Sequence, residues 1–310
     1  MSVPTALLIA ATASSVFALL PITYVGYRST STTDLLLVGV LRELRLFEAE
    51  GITPEFREFH SPQEVGLSLM TGRVDISLFV GYEHALLMAA SEPKGWRAIA
   101  AVVEQKRYPH YFLIARTGSG VGSVDELVGK RFGYMPPTPT MKAHVEAVVR
   151  HFMIRGVTVL PLSSNTVLPA LAMGTIDVVF APEPVRSRVI IEGSGQILNH
   201  RRGLMAEIYG EPYPVLLSIT RPRISEEVVQ KARRAFDVAI EYVRQNPKES
   251  RERLSRILKG VDGRAVASTL QLPSYQKLTE VDYAQYNAVY QAQRATGFLR
   301  DPVDLASLLR

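Results

Sequence analysis

The feature that most constrains this chain is an internal echo. Met70-Thr71-Gly72-Arg73-Val74-Asp75-Ile76 and Met173-Gly174-Thr175-Ile176-Asp177-Val178 each set a glycine and an aspartate between an amphipathic helical stretch and an apolar run. A glycine there supplies the left-handed turn that ends a helix, and a short apolar β-branched run bounded by such a turn reads as a buried strand. Two copies of one helix-turn-strand unit predict two lobes built alike. The 310 residues are enough for two cores at roughly 100 to 200 residues per domain.

The rest of the chain continues that grammar. Strands are expected over 22–27, 53–59, 75–80, 98–103, 111–115, 131–134, 157–160, 177–181 and 213–220. Between them the apolar spacing predicts helices over 34–50, with Asp34 as N-cap and Gly51 as stop, and over 62–71, 83–90, 123–127, 141–154, 166–173 and 184–192. From 225 onward the chain reads as almost wholly helical. Strands alternating with helices imply parallel βαβ units with right-handed crossovers.

Composition removes several functions. With no cysteine there is no disulfide framework, thiolate nucleophile, zinc ribbon, cysteine-ligated cluster or lipid-modified N-terminal cysteine. The net charge of +5 comes from basic residues concentrated over 221–264, interleaved with Glu226, Glu227, Glu241, Glu249 and Glu252. That is the pattern of solvated helix faces; without a basic stripe and aromatics it gives no nucleic-acid surface. Gly118-Ser119-Gly120-Val121-Gly122 fails the dinucleotide fingerprint because Ser123 stands at the third glycine. Phosphate-loop, zincin and nucleophile-elbow motifs are missing. His144 and His151 lie seven apart on one helix, too far for one metal, and Met135, Met141 and Met153 read as core fillers. No cofactor and no metal are implied, and the expectation is a non-enzyme.

No side chain from Met1 to Tyr27 is charged, and Ala6 to Leu20 is apolar. Residues 1–21 read as a signal peptide, with Val16 and Ala18 at the cleavage positions, or as a retained N-terminal anchor. Export is the expectation, although the stretch before Ala6 lacks Lys and Arg.

Several segments together carry a family resemblance. Arg45-Leu46-Phe47-Glu48-Ala49-Glu50-Gly51-Ile52 follows a first strand ITYVGY; L-x-x-G-x-x-D occurs at Leu69 and again at Leu171; Ser123-Val124-Asp125-Glu126-Leu127-Val128-Gly129-Lys130 and Pro182-Glu183-Pro184 follow in order. In these the chain resembles the substrate-binding proteins of ABC importers for nitrate, sulfonates, taurine and thiamine precursors. The resemblance implies an α/β, two-lobed type II periplasmic-binding fold, each lobe a mostly parallel sheet flanked by helices, with a helical C-terminal extension. Lobe 1 would be 22–105 plus 213–310 and lobe 2 111–211, joined by hinge crossings about 106–110 and 212–214. It also implies a monomer that binds a small molecule, closes its cleft and is read by ABC permease subunits.

Open parallel sheets bind ligands beyond the carboxyl ends of their strands, which directs attention to the loops after each expected strand. The candidate ligand-binding residues are Arg28, Thr30, Ser61, Tyr82, Thr138, Thr140, Met141, Glu183 and Arg186. The arginines offer charged forks, the hydroxyls and Glu183 hydrogen bonds, and Tyr82, Tyr108 and Tyr134 flat rings. Pro136, Pro137 and Pro139 have no N–H to donate, and Asp34 would repel an anion unless it serves only as a cap. The expected ligand is therefore a small polar organic solute or anion, sulfonate-, nitrate- or pyrimidine-like. The rival expectation is a cytosolic enzyme on the same fold, such as a menaquinone-pathway enzyme. Pyrimidine synthases of this family are disfavoured, because their resemblance would require a cysteine-rich motif that this chain lacks, and a stand-alone sensor domain is a weaker third.

Overall fold

The computed structural model describes residues 22–92, 95–258 and 263–310. The segment 1–21, read above as a signal peptide or anchor, lies outside them. In chain order come β1 (Ile22–Arg28), α1 (Thr32–Glu43), α2 (Leu46–Ala49), β2 (Thr53–Phe59), α3 (Pro62–Met70), β3 (Ile76–Gly81), α4 (Tyr82–Ser91) and β4 (Arg97–Glu104). Next are β5 (Tyr111–Arg116), β6 (Arg131–Tyr134), α5 (Pro139–His151), β7 (Thr158–Pro161), α6 (Val167–Ala172), β8 (Val178–Pro182), α7 (Val185–Glu192), β9 (Gly195–Ile197) and α8 (Leu204–Tyr209). The chain ends with β10 (Tyr213–Thr220), α9 (Glu226–Gln245), α10 (Pro247–Ile257), α11 (Gly263–Thr269), β11 (Ser274–Lys277), α12 (Tyr283–Ala295) and α13 (Leu305–Leu309). A 3₁₀ turn at Val124–Leu127 stands where a short helix was expected.

Two sheets result, ordered β11-β4-β10-β3-β1-β2 and β7-β6-β8-β5-β9. In the first, β1 to β4 run one way and β10 and β11 the other; in the second only β5 is reversed. This is the mixed α/β architecture expected. Alternate residues of β5 serve opposite faces: Tyr111, Leu113 and Ala115 join the large core shared with the first sheet, while Phe112 and Ile114 join a smaller one under α6 and α7.

The echo has one physical role in both copies. Gly72 and Gly174 each adopt φ of 70°. Asp75 N–H then donates to Tyr24 O at 2.8 Å while its carboxylate accepts from Tyr24 N–H at 2.8 Å. Asp177 repeats this with Arg131, at 3.0 and 3.0 Å. Each aspartate thus adds a rung to the amino end of its parallel ladder, answering a backbone donor that no other strand residue reaches. Each also holds an arginine, Arg221 for Asp75 and Arg131 for Asp177; the Arg131 hydrogen bond draws Asp177 down to about 2.

Some expectations are corrected. Ser31, not Asp34, caps α1, and the helix expected to run to Glu50 breaks at Arg45, whose φ is 51°. The C-terminal part is not wholly helical, since Ser274–Lys277 forms β11 along β4. Strands of three and four residues such as β9 and β11 are too short to show a period.

The chain passes between the sheets around 105–110 and 210–212. Glu104, 0% exposed, ends β4 there. Its carboxylate accepts from the N–H groups of His110, Tyr111, Met205 and Ala206 at 2.7–3.2 Å. Burial raises its pKa and those four donors oppose the rise. Among the described residues no helix is long and apolar enough to cross a membrane.

Candidate functional site

The carboxyl ends of β1, β3, β6 and β8 face one another across a cavity enclosing about 800 Å³ of empty space, part of it open to solvent. The loop after β1 contributes Arg28, Thr30, Ser31 and Thr33, and the start of α4 contributes Gly81 and His84. The opposite wall is Met135, Pro136, Thr138, Thr140 and Met141 before and within α5, with Pro182 and Glu183 after β8. His110, Tyr111 and Leu216 lie where the chain crosses between sheets. A wider chamber shares Thr30 and Met135 with this cavity and carries Arg42 and Arg188 on its walls.

The β1 wall is organised by one buried ion pair. Arg28 Nε and Nη2 donate to the Asp34 carboxylate at 3.0 and 2.6 Å, and Arg28 backbone N–H donates to it at 2.9 Å. Ser31 Oγ adds a bond to Asp34 Oδ1 at 2.8 Å. This bidentate geometry fixes the guanidinium and leaves Nη1 without a protein partner among the described residues. The pair is almost dehydrated, with side chains 10% and 1% exposed.

The α5 wall is built differently. Thr138 Oγ1 caps the helix by accepting from Met141 N–H at 3.2 Å, and Pro139 takes the first helical position. Thr138 N–H is spent on Pro136 O, so Thr140 N–H is the open first-turn donor. Met135, Pro136 and Met141 give this wall an apolar surface.

Two imidazoles line the cavity, and dehydration favours the neutral form of each. Burial lowers His84. His110 keeps a little surface toward the cavity, but dehydration by the surrounding protein, with Arg28 and His144 nearby, brings it to about 3. Next to the cavity lies a fully buried polar cluster that joins the two sheets. Glu83 Oε1 accepts from Tyr213 Oη at 2.5 Å and from Gln293 Nε2 at 3.3 Å, and His144 Nε2 lies 3.1 Å from it and 2.8 Å from Tyr213 Oη. Glu83 Oε2 and His144 Nδ1 are buried without partners. Tyr111, a lining residue, covers His144 with ring centroids 5.4 Å apart.

Of the residues singled out from the sequence, Arg28, Thr30, Thr138, Thr140, Met141 and Glu183 line this one cavity. Tyr82 does not: it is 0% exposed, its hydroxyl donates to Tyr286 O and its ring meets that of Tyr286 edge-on. As the first residue of α4 it points toward α12, while His84, two positions on and 200° around the helix, points into the cavity. Ser61 is the N-cap of α3, and its neighbour Pro62 is the lining residue. Arg186 pairs with Glu183 and Thr269 O, and Tyr108 bonds Leu272 O. Sequence reasoning missed His84, His110 and Tyr111. The signal for the first was available, since a helix capped at Gly81 turns its third residue back toward its own start.

The description "NMT1/THI5 like" belongs to the family model that matches residues 40–250. Among solved structures, the alkanesulfonate-binding protein SsuA from Xanthomonas axonopodis pv. citri bound to MOPS superposes with a TM-score of 0.70 at 18% identity, over 94% of this chain and 99% of that one. The periplasmic aliphatic sulphonate binding protein SsuA from Escherichia coli gives 0.71 at 13%, covering 92% and 91%. The periplasmic nitrate-binding protein NrtA from Synechocystis PCC 6803 gives 0.65 at 10%, covering 93% and 84%. At these identities the likeness is one of fold. No curated protein sequence matches.

Proposed function

Because the chain belongs to the NMT1/THI5-like family, we propose that it is an extracytoplasmic solute-binding protein that delivers a small polar organic solute or anion to an ABC importer. The two sheets are then the cores of two lobes, 22–105 plus 213–310 and 111–211. They close on the ligand about the crossings near 106–110 and 212–214, and the closed form is what permease subunits recognise. The protein acts as a monomer, and residues 1–21 direct its export or anchor it.

The observation that carries this reading is the cavity between the β1 and α5 walls, reached by both sheets at the carboxyl ends of their strands. Arg28, Thr30, Thr138, Thr140, Met141 and Glu183 are its proposed contacts. We read the role as non-catalytic: Glu83, His144 and Tyr213 are at most 1% exposed and lie outside the cavity lining, where Glu183, His84 and His110 are the titratable groups.

A thermal-shift panel of sulfonates, nitrate and pyrimidines tests the proposal. A ligand present at 100 times its Kd adds about 2.7 kcal/mol to stability, a rise of several degrees in melting temperature. A panel that leaves the melting temperature unmoved at millimolar concentration contradicts it.

A further inference from the structure

Five helices begin at the cavity wall, an arrangement that normally draws oxyanions to the open N–H groups and positive dipole ends. Here that positive potential is already answered. α1 carries Asp34, α3 Glu64 and α4 Glu83 in their first turns, and Glu183 before α7 accepts from Ser187 N–H. α5 and α7 have no acidic residue in their first turns; α7 has Glu183 just before it, whereas α5 starts with proline. Among the described residues Arg28 is the one guanidinium lining this cavity, Arg42 and Arg188 lying in the adjoining chamber, and it is engaged at Nε, Nη2 and backbone by Asp34. Burial lowers the pKa of both His84 and His110, which favours their uncharged forms. What remains is a set of hydroxyls, a few open amides, Arg28 Nη1 and an apolar surface.

We propose that the cleft selects an uncharged organic molecule, with hydrogen-bond-accepting groups beside an apolar body, over an oxyanion, and that Asp34 sets this preference by cancelling Arg28 before any ligand arrives. The inference rests on the solute-binding reading and narrows it. An anion reaching Arg28 would also meet the Asp34 carboxylate a few ångströms behind it. At the effective dielectric of such sites that repulsion is worth on the order of tenfold or more in affinity. An uncharged acceptor takes the same hydrogen bonds without meeting it.

The test uses pairs of isosteres, benzenesulfonate against benzenesulfonamide and nicotinate against nicotinamide, titrated calorimetrically into the wild type and Asp34→Asn. The wild type should bind the uncharged member at least about tenfold tighter, and Asp34→Asn should move the ratio by about tenfold or more toward the anion. A wild type that prefers the anion, or a ratio unmoved in the variant, overturns the inference while leaving solute binding intact. Should Asp34→Asn fail to fold by circular dichroism, the wild-type ranking decides alone. If the wild type binds neither pair, sulfate decides. It should raise the melting temperature of Asp34→Asn and not that of the wild type, and equal shifts overturn the role of Asp34. Sulfate binding gained by the variant, beside a wild type inert to the whole panel, would instead count against the solute-binding reading and not against Asp34.

Discussion

The loop after β1 and the loop after β6 hold the same place in their sheets, inside β2-β1-β3 and β7-β6-β8, yet they are chemically opposite. Both lead into a helix capped by a hydroxyl that accepts the N–H of the residue three on, Ser31 from Asp34 and Thr138 from Met141, each at 3.2 Å. At that third position one wall has a carboxylate holding an arginine, and the other a thioether. On the far side of the sheets, by contrast, the two copies of the glycine turn agree down to individual hydrogen bonds. The units match where the ladder must be closed and differ where a ligand would be held. In the proposed function, one wall orients the polar part of the ligand and the other covers its apolar part.

The sharpest break in that contrast is Asp34→Ala. It leaves a buried guanidinium unpaired and orphans the Arg28 N–H, so denaturant titration should show a loss of about 3–5 kcal/mol, with binding of an uncharged ligand weakened. Met141→Ala, the matching change on the other wall, removes apolar packing beside an open cavity and should cost about 2 kcal/mol. Its affinity loss should be confined to ligands with an apolar body. Equal stability losses from the two variants would mean that the walls are not built on different principles.

An effect confined to acid pH comes from the crossing between the walls. His110, held at about 3, binds its proton less readily folded than unfolded. Its contribution is complete above the ordinary imidazole value near 6.5 and is lost as pH falls from there toward 3. His110→Gln should flatten stability against pH in that window, by at most about 1.4 kcal/mol per pH unit, and change nothing above it. Smallest is Asp177→Asn, which should cost less than about 1 kcal/mol at neutral pH given its solvent-screened partner. That difference should vanish as pH falls through about 2, where the wild-type carboxylate is itself protonated.

Much of this was legible in the sequence because it is local. The glycine turns, the helix-strand alternation and the proline-rich loop each declare themselves within ten residues, and they place Arg28, Thr138, Thr140, Met141 and Glu183 at one cavity. Tyr82 was misplaced because one step along a helix turns a side chain by 100°, which a loop-level reading does not resolve. Asp34 was ambiguous because aspartate suits the cap and the first turn equally, and only the backbone shows that Ser31 caps. The cluster of Glu83, His144, Tyr213 and Gln293 could not be seen, since its members lie 61 to 210 residues apart.

The central claim is that two lobes close on a ligand held between these walls. Met70 and Met173 lie two residues and one residue before the glycine of their echoes, beside one sheet each, and are 59% and 76% exposed. Since the chain has no cysteine, Met70→Cys with Met173→Cys gives a doubly spin-labelled protein free of background thiols. Addition of a ligand that raises the melting temperature should shift the distance distribution between the labels and narrow it to one population. The same distribution with and without such a ligand would contradict the account.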